Sequence, residues 1–154
     1  MNNTNVKNII IASDHGGFAY KNDIKEYLES KHYLIDDVGT FFSDSCDYPK
    51  IVDDVFKKFS TYKNKENIFI ILFCKTGIGI SIAANRFKNI RCGIGYDDDV
   101  VRLMRQHNNA NAIAFGSSFM TLEDCKRRID IFLNTNFEGG RHLKRVNMLE
   151  NYGS

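Results

Sequence analysis

The chain has 154 residues, 43% of them hydrophobic, which suffices to bury the core of one domain without disulfides or metal. Lys and Arg outnumber Asp and Glu by 21 to 19, and this net charge of +2 is too small for a general polyanion-binding protein. The four cysteines are widely spaced with no C-x-x-C pair, so neither a zinc site nor a disulfide framework is indicated, and a reducing cytoplasm is expected.

Apolar runs and helical stripes alternate along the first third of the chain. Val6 to Ala12 predicts a first strand, and the helix after it carries an apolar stripe made of Tyr20, Ile24, Tyr27 and Leu28. Tyr33 to Val38 predicts a short second strand. After the loop from Phe41 to Cys46, Asp47 is expected to cap a second helix that has the only proline in its first turn.

The centre of the chain is an unbroken apolar run from Ile68 to Phe73, which predicts a parallel strand covered on both faces. Cys74 closes this strand, and a turn with two glycines, Lys75 to Gly79, leads to a helix expected over Ser81 to Asn85. In open parallel sheets, ligands bind beyond the carboxyl ends of the strands, where loop amides and the helix dipole favour negative charge. A thiol there is well placed for chemistry, although a buried structural cysteine explains the same residues.

Two more strands are predicted, over Arg91 to Gly95 and over Asn111 to Gly116, and Thr121 with Asp124 resembles a capping box for the helix that follows. Five strands alternating with helices predict a doubly wound α/β sheet in one domain over residues 1–154. One helix, about 139–152, is more than the sheet needs. It is expected to pack on a partner subunit, with its own domain as the alternative.

Polar residues are predicted to converge at one rim of this sheet. Asp14 and His15 follow the first strand, so they should lie on the same rim as Cys74 to Gly79. His107 and Asn108 end the fourth helix, which alone would place them at the opposite edge. A site within one subunit therefore has a difficulty, which is eased if a neighbouring subunit contributes His107 or if that helix is tilted or short.

The C-terminal part is locally basic, with six Lys or Arg against three Asp or Glu from Lys126 onward. Arg141 and Arg145 are four residues apart on a predicted helix and could hold one phosphate from two sides, or they could be solvated. Nucleic-acid binding is not expected, because only these arginines and Lys126 to Arg128 support it. No apolar run approaches the roughly 18 residues of a membrane span, and the first residues are polar, so neither membrane insertion nor secretion is expected.

Six motifs occur in order along the chain. They are Ser13-Asp14-His15-Gly16-Gly17, Asp47-Tyr48-Pro49, the stretch from Cys74 to Asn85, Arg105-Gln106-His107-Asn108, Ala114-Phe115-Gly116-Ser117, and Glu138-Gly139-Gly140-Arg141-His142 with Arg145. Together they resemble the ribose-5-phosphate isomerase B family, which includes the galactose-6-phosphate isomerase subunits, over nearly the whole chain. The resemblance implies a Rossmann-like, three-layer α/β/α homodimer, with a tetramer as the alternative assembly. It also implies that the protein interconverts ribose 5-phosphate and ribulose 5-phosphate in the non-oxidative pentose phosphate pathway, with no metal and no cofactor.

The resemblance also implies roles for individual residues. Cys74 is the base that takes the proton from the carbon beside the carbonyl, Thr76 and the loop amides hold the enediolate oxygen, and His107 opens the furanose ring. These roles agree with what removal of a proton beside a carbonyl requires. Substrate binding is implied for Asp14, His15, Tyr48, Lys75, Gly77, Ile78, Gly79, Asn108, Arg141 and Arg145. In the family the sites are built across the dimer, which would remove the edge difficulty.

Three positions depart from the family pattern. Lys75 stands where glycine usually follows the cysteine, so it brings either backbone strain or a charge that supports the thiolate. Ser118 stands where arginine is common, so one phosphate contact is lost or replaced. Ile80 stands where another branch has a carboxylate base, which leaves Cys74 as the only candidate base in this loop.

Other functions remain open at this stage. A six-carbon sugar phosphate is the nearest alternative substrate, because the pocket size around Phe41, Phe42 and Tyr96 cannot be read from sequence. A cysteine phosphatase would need arginine at the position of Ile80. A flavodoxin-like module would need a Ser/Thr-rich loop after the first strand. A receiver domain would need its acidic pair there, whereas Asp36 and Asp37 belong to the second strand.

Overall fold

The computed structural model describes residues 7–152, which form a five-stranded parallel sheet in the order β2-β1-β3-β5-β4. The strands are β1 (Asn8–Ser13), β2 (Leu34–Gly39), β3 (Ile68–Cys74), β4 (Cys92–Ile94) and β5 (Ala112–Gly116). The helices are α1 (Phe18–Ser30), α2 (Tyr48–Ser60), α3 (Ile78–Asn85), α4 (Asp98–Gln106), α5 (Leu122–Asn134) and α6 (Arg141–Leu149), with a 3-10 turn at His15–Gly17. The predicted α/β fold is confirmed. Val6, the expected start of the first strand, lies outside the described residues.

The central strand is β3, as its apolar sequence predicts. All seven of its residues are buried, and it pairs with β1 on one side and with β5 on the other. The chain winds away in opposite directions from β1 and β3, so the crevice where ligands bind in such sheets lies at the carboxyl ends of these two strands. Ser13 and Cys74 are the last residues of β1 and β3, so the predicted rim is at this crevice.

Alternate residues of the strands enter two separate apolar layers, because successive side chains of a strand point to opposite faces. Ile9 and Ile11 of β1 pack with α1, α4 and α5, whereas Ile10 and Ala12 pack with α2 and α3. The result is a three-layer sandwich. None of the helices within residues 7–152 is long and apolar enough to cross a membrane.

Two helix starts differ in detail from the sequence-based expectations, and a third has its predicted cap. Helix α3 begins at Ile78, earlier than expected, so Gly79 lies in its first turn rather than in the loop. Asp47 stands before α2, but its side chain makes no capping hydrogen bond. Thr121 does cap α5 by accepting from the Asp124 amide, while the Asp124 carboxylate turns to Arg127.

A buried ion pair joins α1 to β2. Lys21 is fully buried and donates to both carboxylate oxygens of Asp37, at 2.8 and 3.0 Å, and to the Thr40 carbonyl at 2.6 Å. The Asp37 carboxylate also accepts from the Gly39 amide at 2.9 Å. All three ammonium protons therefore have acceptors, which is the condition under which a buried lysine charge is tolerated.

Helix α6 docks on its own domain by one side only. His142 and Val146 are buried, and Glu150 just after the helix pairs with Arg91 at 2.5 Å. Three large apolar side chains of α6, Leu143, Met148 and Leu149, remain about half exposed, at 49%, 56% and 47%. Helix α6 thus contacts its own domain on one side, and an apolar surface on its other side is left uncovered.

Candidate active site

The loop after β3 wraps around the Cys74 sulfur. Cys74 is only 4% exposed, and its Sγ accepts a hydrogen bond from the Gly77 amide at 3.1 Å. Gly77 has a φ of +80°, and a Cβ at this position would lie 3.0 Å from the Phe115 carbonyl carbon, so both conformation and space require glycine. The sulfur therefore already faces a backbone donor, the kind of contact that stabilises an anion.

The rest of this loop is fixed by close packing on β5 and α2. The Thr76 hydroxyl accepts from the Ile78 amide at 3.1 Å. A Cβ at Gly116 would lie 2.4 Å from the Thr76 carbonyl oxygen, so the last residue of β5 must be small. Similarly, a Cβ at Gly79 would lie 2.7 Å from the Tyr48 ring, which places that ring over the first turn of α3.

Polar groups after β1 and β5 lie beside this loop. Asp14 is 7% exposed, its amide donates to the Phe73 carbonyl, and its Oδ1 accepts from the amides of Gly16 at 2.9 Å and Gly17 at 3.2 Å. A Cβ at Gly16 would lie 3.3 Å from the Lys75 amide nitrogen, so the two loops touch. The structure thus brings Asp14 and the exposed Lys75 to one rim, as expected. Ser118, beside them, donates its amide to the Lys75 carbonyl at 3.1 Å.

The loop between β2 and α2 is tied to the same rim at both of its ends. Its first end is held by the Thr40 amide, which donates to the Ser13 carbonyl at 2.7 Å. At its other end, the exposed His15 lies with Nδ1 3.1 Å from the Cys46 amide and 3.2 Å from the Cys46 carbonyl oxygen. Nδ1 therefore accepts from the amide or donates to the carbonyl, depending on the tautomer.

His107 and Asn108 lie at the other edge of the sheet. Cys74 pairs with Gly116 at the carboxyl end of β5, whereas His107 follows α4 and precedes the first residue of that strand, Ala112. Four strand steps of about 3.3 Å separate the two ends of β5 by roughly 13 Å. The edge difficulty expected from the sequence is therefore present within one chain.

The His107 ring stacks on the ring of His142 from α6, with centroids 4.2 Å apart and planes 12° from parallel. Burial holds the pKa of His142 below its ordinary value, and the nearby His107, Arg141 and Arg145 act in the same direction. Glu138 lies beside the stack, with Oε2 3.6 Å from His142 Nε2. Sequence reasoning missed this contact, although Glu138 and His142 both occur in the motif that precedes Arg145.

His107, Glu138 and His142 also have potential metal-ligand atoms within 4.8 Å of one another. The two rings are nearly parallel, however, so their in-plane lone pairs do not converge on one point. The arrangement therefore fits two stacked rings and does not have the geometry of a metal site.

Arg141 and Arg145 lie one turn apart on α6, and both are exposed. Neither forms an ion pair with a carboxylate anywhere in residues 7–152.

Two cavities, of about 500 and 410 Å³, lie away from the thiol, and neither is lined by Cys74. Asn108 lines the larger one, together with Leu149 and Tyr152 near the C-terminus.

Comparison with known proteins identifies relatives along nearly the whole chain. Residues 9–149 match the family model described as Ribose/Galactose Isomerase. The probable ribose-5-phosphate isomerase B of Mycoplasma genitalium is 38% identical over 146 residues, which cover 94% of this chain and 95% of that protein. Ribose-5-phosphate isomerase B of Escherichia coli is 38% identical over 141 residues, covering 92% and 93%.

Solved structures are similar in fold as well as in sequence. A ribose 5-phosphate isomerase from Thermotoga maritima superposes with a TM-score of 0.88 at 39% identity, covering 94% of this chain and 97% of the other. Ribose-5-phosphate isomerase B from Mycoplasma genitalium, solved with bound ribulose-5-phosphate, has a TM-score of 0.88 at 38% identity and covers 94% and 95%.

Proposed function

The chain belongs to the ribose/galactose isomerase family, and we propose that it is an aldose-ketose isomerase that interconverts ribose 5-phosphate and ribulose 5-phosphate. The observation that carries the proposal is the Cys74 thiol at the carboxyl end of β3, facing the Gly77 amide at 3.1 Å. The names of the relatives favour a five-carbon substrate over a six-carbon one, and one of them was solved with the ketose bound.

In the proposed reaction, Cys74 acts as a thiolate base. It takes the proton from C2 of the open-chain aldose, and the electron pair of that bond forms the enediolate with the charge on O1. The hydroxyl proton then passes from O2 to O1, and the proton held by the thiol is returned at C1 to give the ketose. The Thr76 hydroxyl and the amides of Gly79 and Ile80, which as first-turn amides of α3 have no partner within the helix, would hold the charge on oxygen. The reaction needs no change of oxidation state in the protein, so we propose that it proceeds without metal or cofactor.

The site is proposed to be completed by a second copy of the chain. His107, as the group that opens the sugar ring, and Asn108, as a ligand of its hydroxyls, would come from the partner, because they lie at the edge opposite Cys74. Arg141 and Arg145 of the same partner would bind the phosphate. Both are available for this, because neither forms an ion pair with a carboxylate in residues 7–152. Asp14, His15, Tyr48 and Lys75 would contact the substrate from the chain that supplies the thiol.

Uncovered apolar side chains support a homodimer. Ile78 and Ile82 of α3 are 54% and 53% exposed, and the apolar residues of α6 are about half exposed. Exposed apolar patches mark association sites in soluble proteins. We therefore propose that the single domain, residues 1–154, packs α6 against its partner, with assembly of two dimers into a tetramer as a further possibility for the family. The four free cysteines are consistent with the proposed cytoplasmic location.

The test is an isomerisation assay with the purified protein and a chelator. We expect ketose to form from ribose 5-phosphate, and we expect kcat/KM for this substrate to exceed that for allose 6-phosphate or galactose 6-phosphate. Absence of ketose above the protein-free blank would refute the proposal. A higher kcat/KM on the six-carbon substrates would keep the reaction type and change the substrate.

A further inference from the structure

The smaller cavity lies at the amino edge of the sheet, opposite the rim that carries Cys74, and has a volume of about 410 Å³. Three cationic side chains line it, those of Lys65, Arg91 and Arg105, against one carboxylate, that of Glu66. Three asparagines also line it. Nothing in the proposed reaction uses this cavity, and its excess of positive charge is unexplained by the fold alone.

Arg105 is the most deeply buried of these cations, at 7% exposed. Its Nε donates to the Thr135 carbonyl at 3.0 Å, and its Nη1 donates to the Ala110 carbonyl at 2.6 Å and to Asn109 Oδ1 at 3.1 Å. Nη2 forms no hydrogen bond, and the guanidinium has no carboxylate partner, within residues 7–152. The guanidinium carbon also lies 5.1 Å from the Phe69 ring centroid and 5.8 Å from that of Phe132, so carbonyl groups and aromatic rings stabilise the charge, but no anion does. Nη2 remains an unused donor in a side chain that lines the cavity.

Neighbouring side chains add to the positive charge around Arg105. Burial, and then the charge of Arg91, lower the pKa of Arg105 to about 10, and burial with the charge of Arg105 lowers the pKa of Lys7. Arg91 has its own carboxylate, Glu150, at 2.5 Å. Arg105 remains protonated near neutral pH, and an anion in the cavity would relieve the repulsion among these cations.

We propose that this cavity binds a small oxyanion, inorganic phosphate or the phosphate group of a small metabolite, between Arg105 Nη2 and Lys65 Nζ. Arginine matches the geometry of phosphate oxygens, and a flexible lysine supplies a second charge. The volume accommodates a phosphate with a small organic group attached. Cys74, Arg141 and Arg145 do not line this cavity, so its anion site is separate from the substrate phosphate site proposed above.

The test uses the full-length Arg141→Ala/Arg145→Ala variant, which lacks the phosphate contacts proposed for the substrate. Phosphate is titrated at constant ionic strength by calorimetry and by thermal unfolding. We expect phosphate still to bind, and at about 100 times the dissociation constant we expect the unfolding midpoint to rise by roughly 5–10 °C.

A matched pair of charge reversals in the same linker locates the site. On this background, Lys65→Glu should weaken phosphate binding about tenfold or more, whereas Lys63→Glu, an exposed lysine outside the cavity lining, should leave it nearly unchanged. Equal effects of the two reversals, or no binding to the double variant, would overturn the proposal. In crystals soaked in selenate, we expect an anomalous peak beside Arg105, and peaks confined to other places would also overturn it.

Discussion

Cys74 differs from two other cysteines in what surrounds its sulfur. Its Sγ faces the Gly77 amide at the start of α3, in a loop held by Gly116 and Tyr48. Burial raises the pKa of both Cys92 and Cys125 to about 12, so both stay protonated near neutral pH and are unsuited to act as bases. At the scale of single residues, the proposed chemistry therefore depends on the Cys74 thiol.

Replacing Cys74 by alanine should lower kcat for ribose 5-phosphate by about 10²–10⁴-fold, because the base is removed while the loop amides remain. Substrate should still bind, with KM changed only a few-fold. Steady-state kinetics and calorimetric titration check both parts. The control is Cys92→Ala, which should keep near wild-type turnover. Retained turnover in Cys74→Ala would move the base elsewhere.

Which residues matter was partly predictable at this scale. Cys74 and Gly77 stand out in the sequence because a thiol and a flexible residue directly follow an apolar strand. The ring that lies against Gly79 belongs to Tyr48, 31 positions earlier in the chain, and the stacking of His107 on His142 joins two helices. Contacts between distant segments leave no local pattern, so sequence reasoning could not find them.

At the scale of elements, α1 and β2 are joined by the buried ion pair of Lys21 and Asp37, and neither charge would be tolerated there without its partner. The side chains of Lys21 and Asp37 are 1% and 8% exposed. Lys25 also approaches Asp37, at 3.4 Å, but its side chain is 37% exposed. Lys21 therefore contacts this carboxylate from the buried interior and Lys25 from the solvent-exposed surface, so their contributions to the free energy of unfolding should differ.

Lys21→Met should lower the free energy of unfolding by about 3–5 kcal/mol, because it leaves the Asp37 carboxylate buried without its main partner. Lys25→Met is the matched control and should cost no more than about 1 kcal/mol. Urea unfolding measures both. The double variant Lys21→Met/Asp37→Asn should recover part of the loss, since the amide oxygen can still accept from Gly39. Similar losses for the two single variants would contradict this account.

The contact between α4 and α6 should make stability depend on pH. The pKa of His142 is lowered in the folded state from its ordinary 6.5, so the unfolded chain binds more protons as pH falls through 6.5 toward the lowered value. Protonation of the unfolded chain therefore destabilises the fold over that range. Its neighbours there are His107, Glu138, Arg141 and Arg145.

Between about pH 7.5 and pH 5.5, wild-type protein should lose stability more steeply than the His142→Gln variant, which lacks the titrating ring. Urea unfolding at several pH values gives the two slopes. His32→Gln, an exposed histidine on another part of the surface, should leave the wild-type slope nearly unchanged. Equal slopes for wild type and His142→Gln would rule out this contribution.

Element identities followed well from the hydrophobic pattern, and element starts followed less well. The seven buried residues of β3 leave little room for another interpretation. Helix α3 begins at Ile78 because Gly77, with its positive φ, already completes the turn. The sequence has glycine at both 77 and 79, and it does not indicate which of the two ends the turn. Asp47 precedes α2 without capping it, because composition indicates a capping residue but not its rotamer.

On the scale of the whole molecule, the groups proposed to react lie at two edges of one sheet. The sequence predicted this separation, because parallel strands end at one edge and the helices between them return to the other. It could not predict which surface a second copy would cover. The exposed apolar residues of α3 and α6 are the surface proposed for that contact.

Mixing two inactive variants tests the shared site. Cys74→Ala and His107→Ala should each be nearly inactive. After unfolding and refolding together in equal amounts, they should regain about a quarter of wild-type activity, because half of the dimers are mixed and each mixed dimer has one intact site. The control mixes Cys74→Ala with Cys74→Ser, which should regain none. No recovery in the first mixture would contradict sharing across a twofold dimer.

The loop from Thr40 to Cys46 is fastened to the rim at both ends, by Ser13 and by His15. Extra residues inserted between these fastenings would leave His15 in place, and doubling the loop length would cost only about 0.6 kcal/mol of chain entropy. The segment bearing the exposed Phe41 and Phe42 is therefore a place where the chain could be lengthened or shortened beside the proposed site, with Ser13 and His15 kept in position.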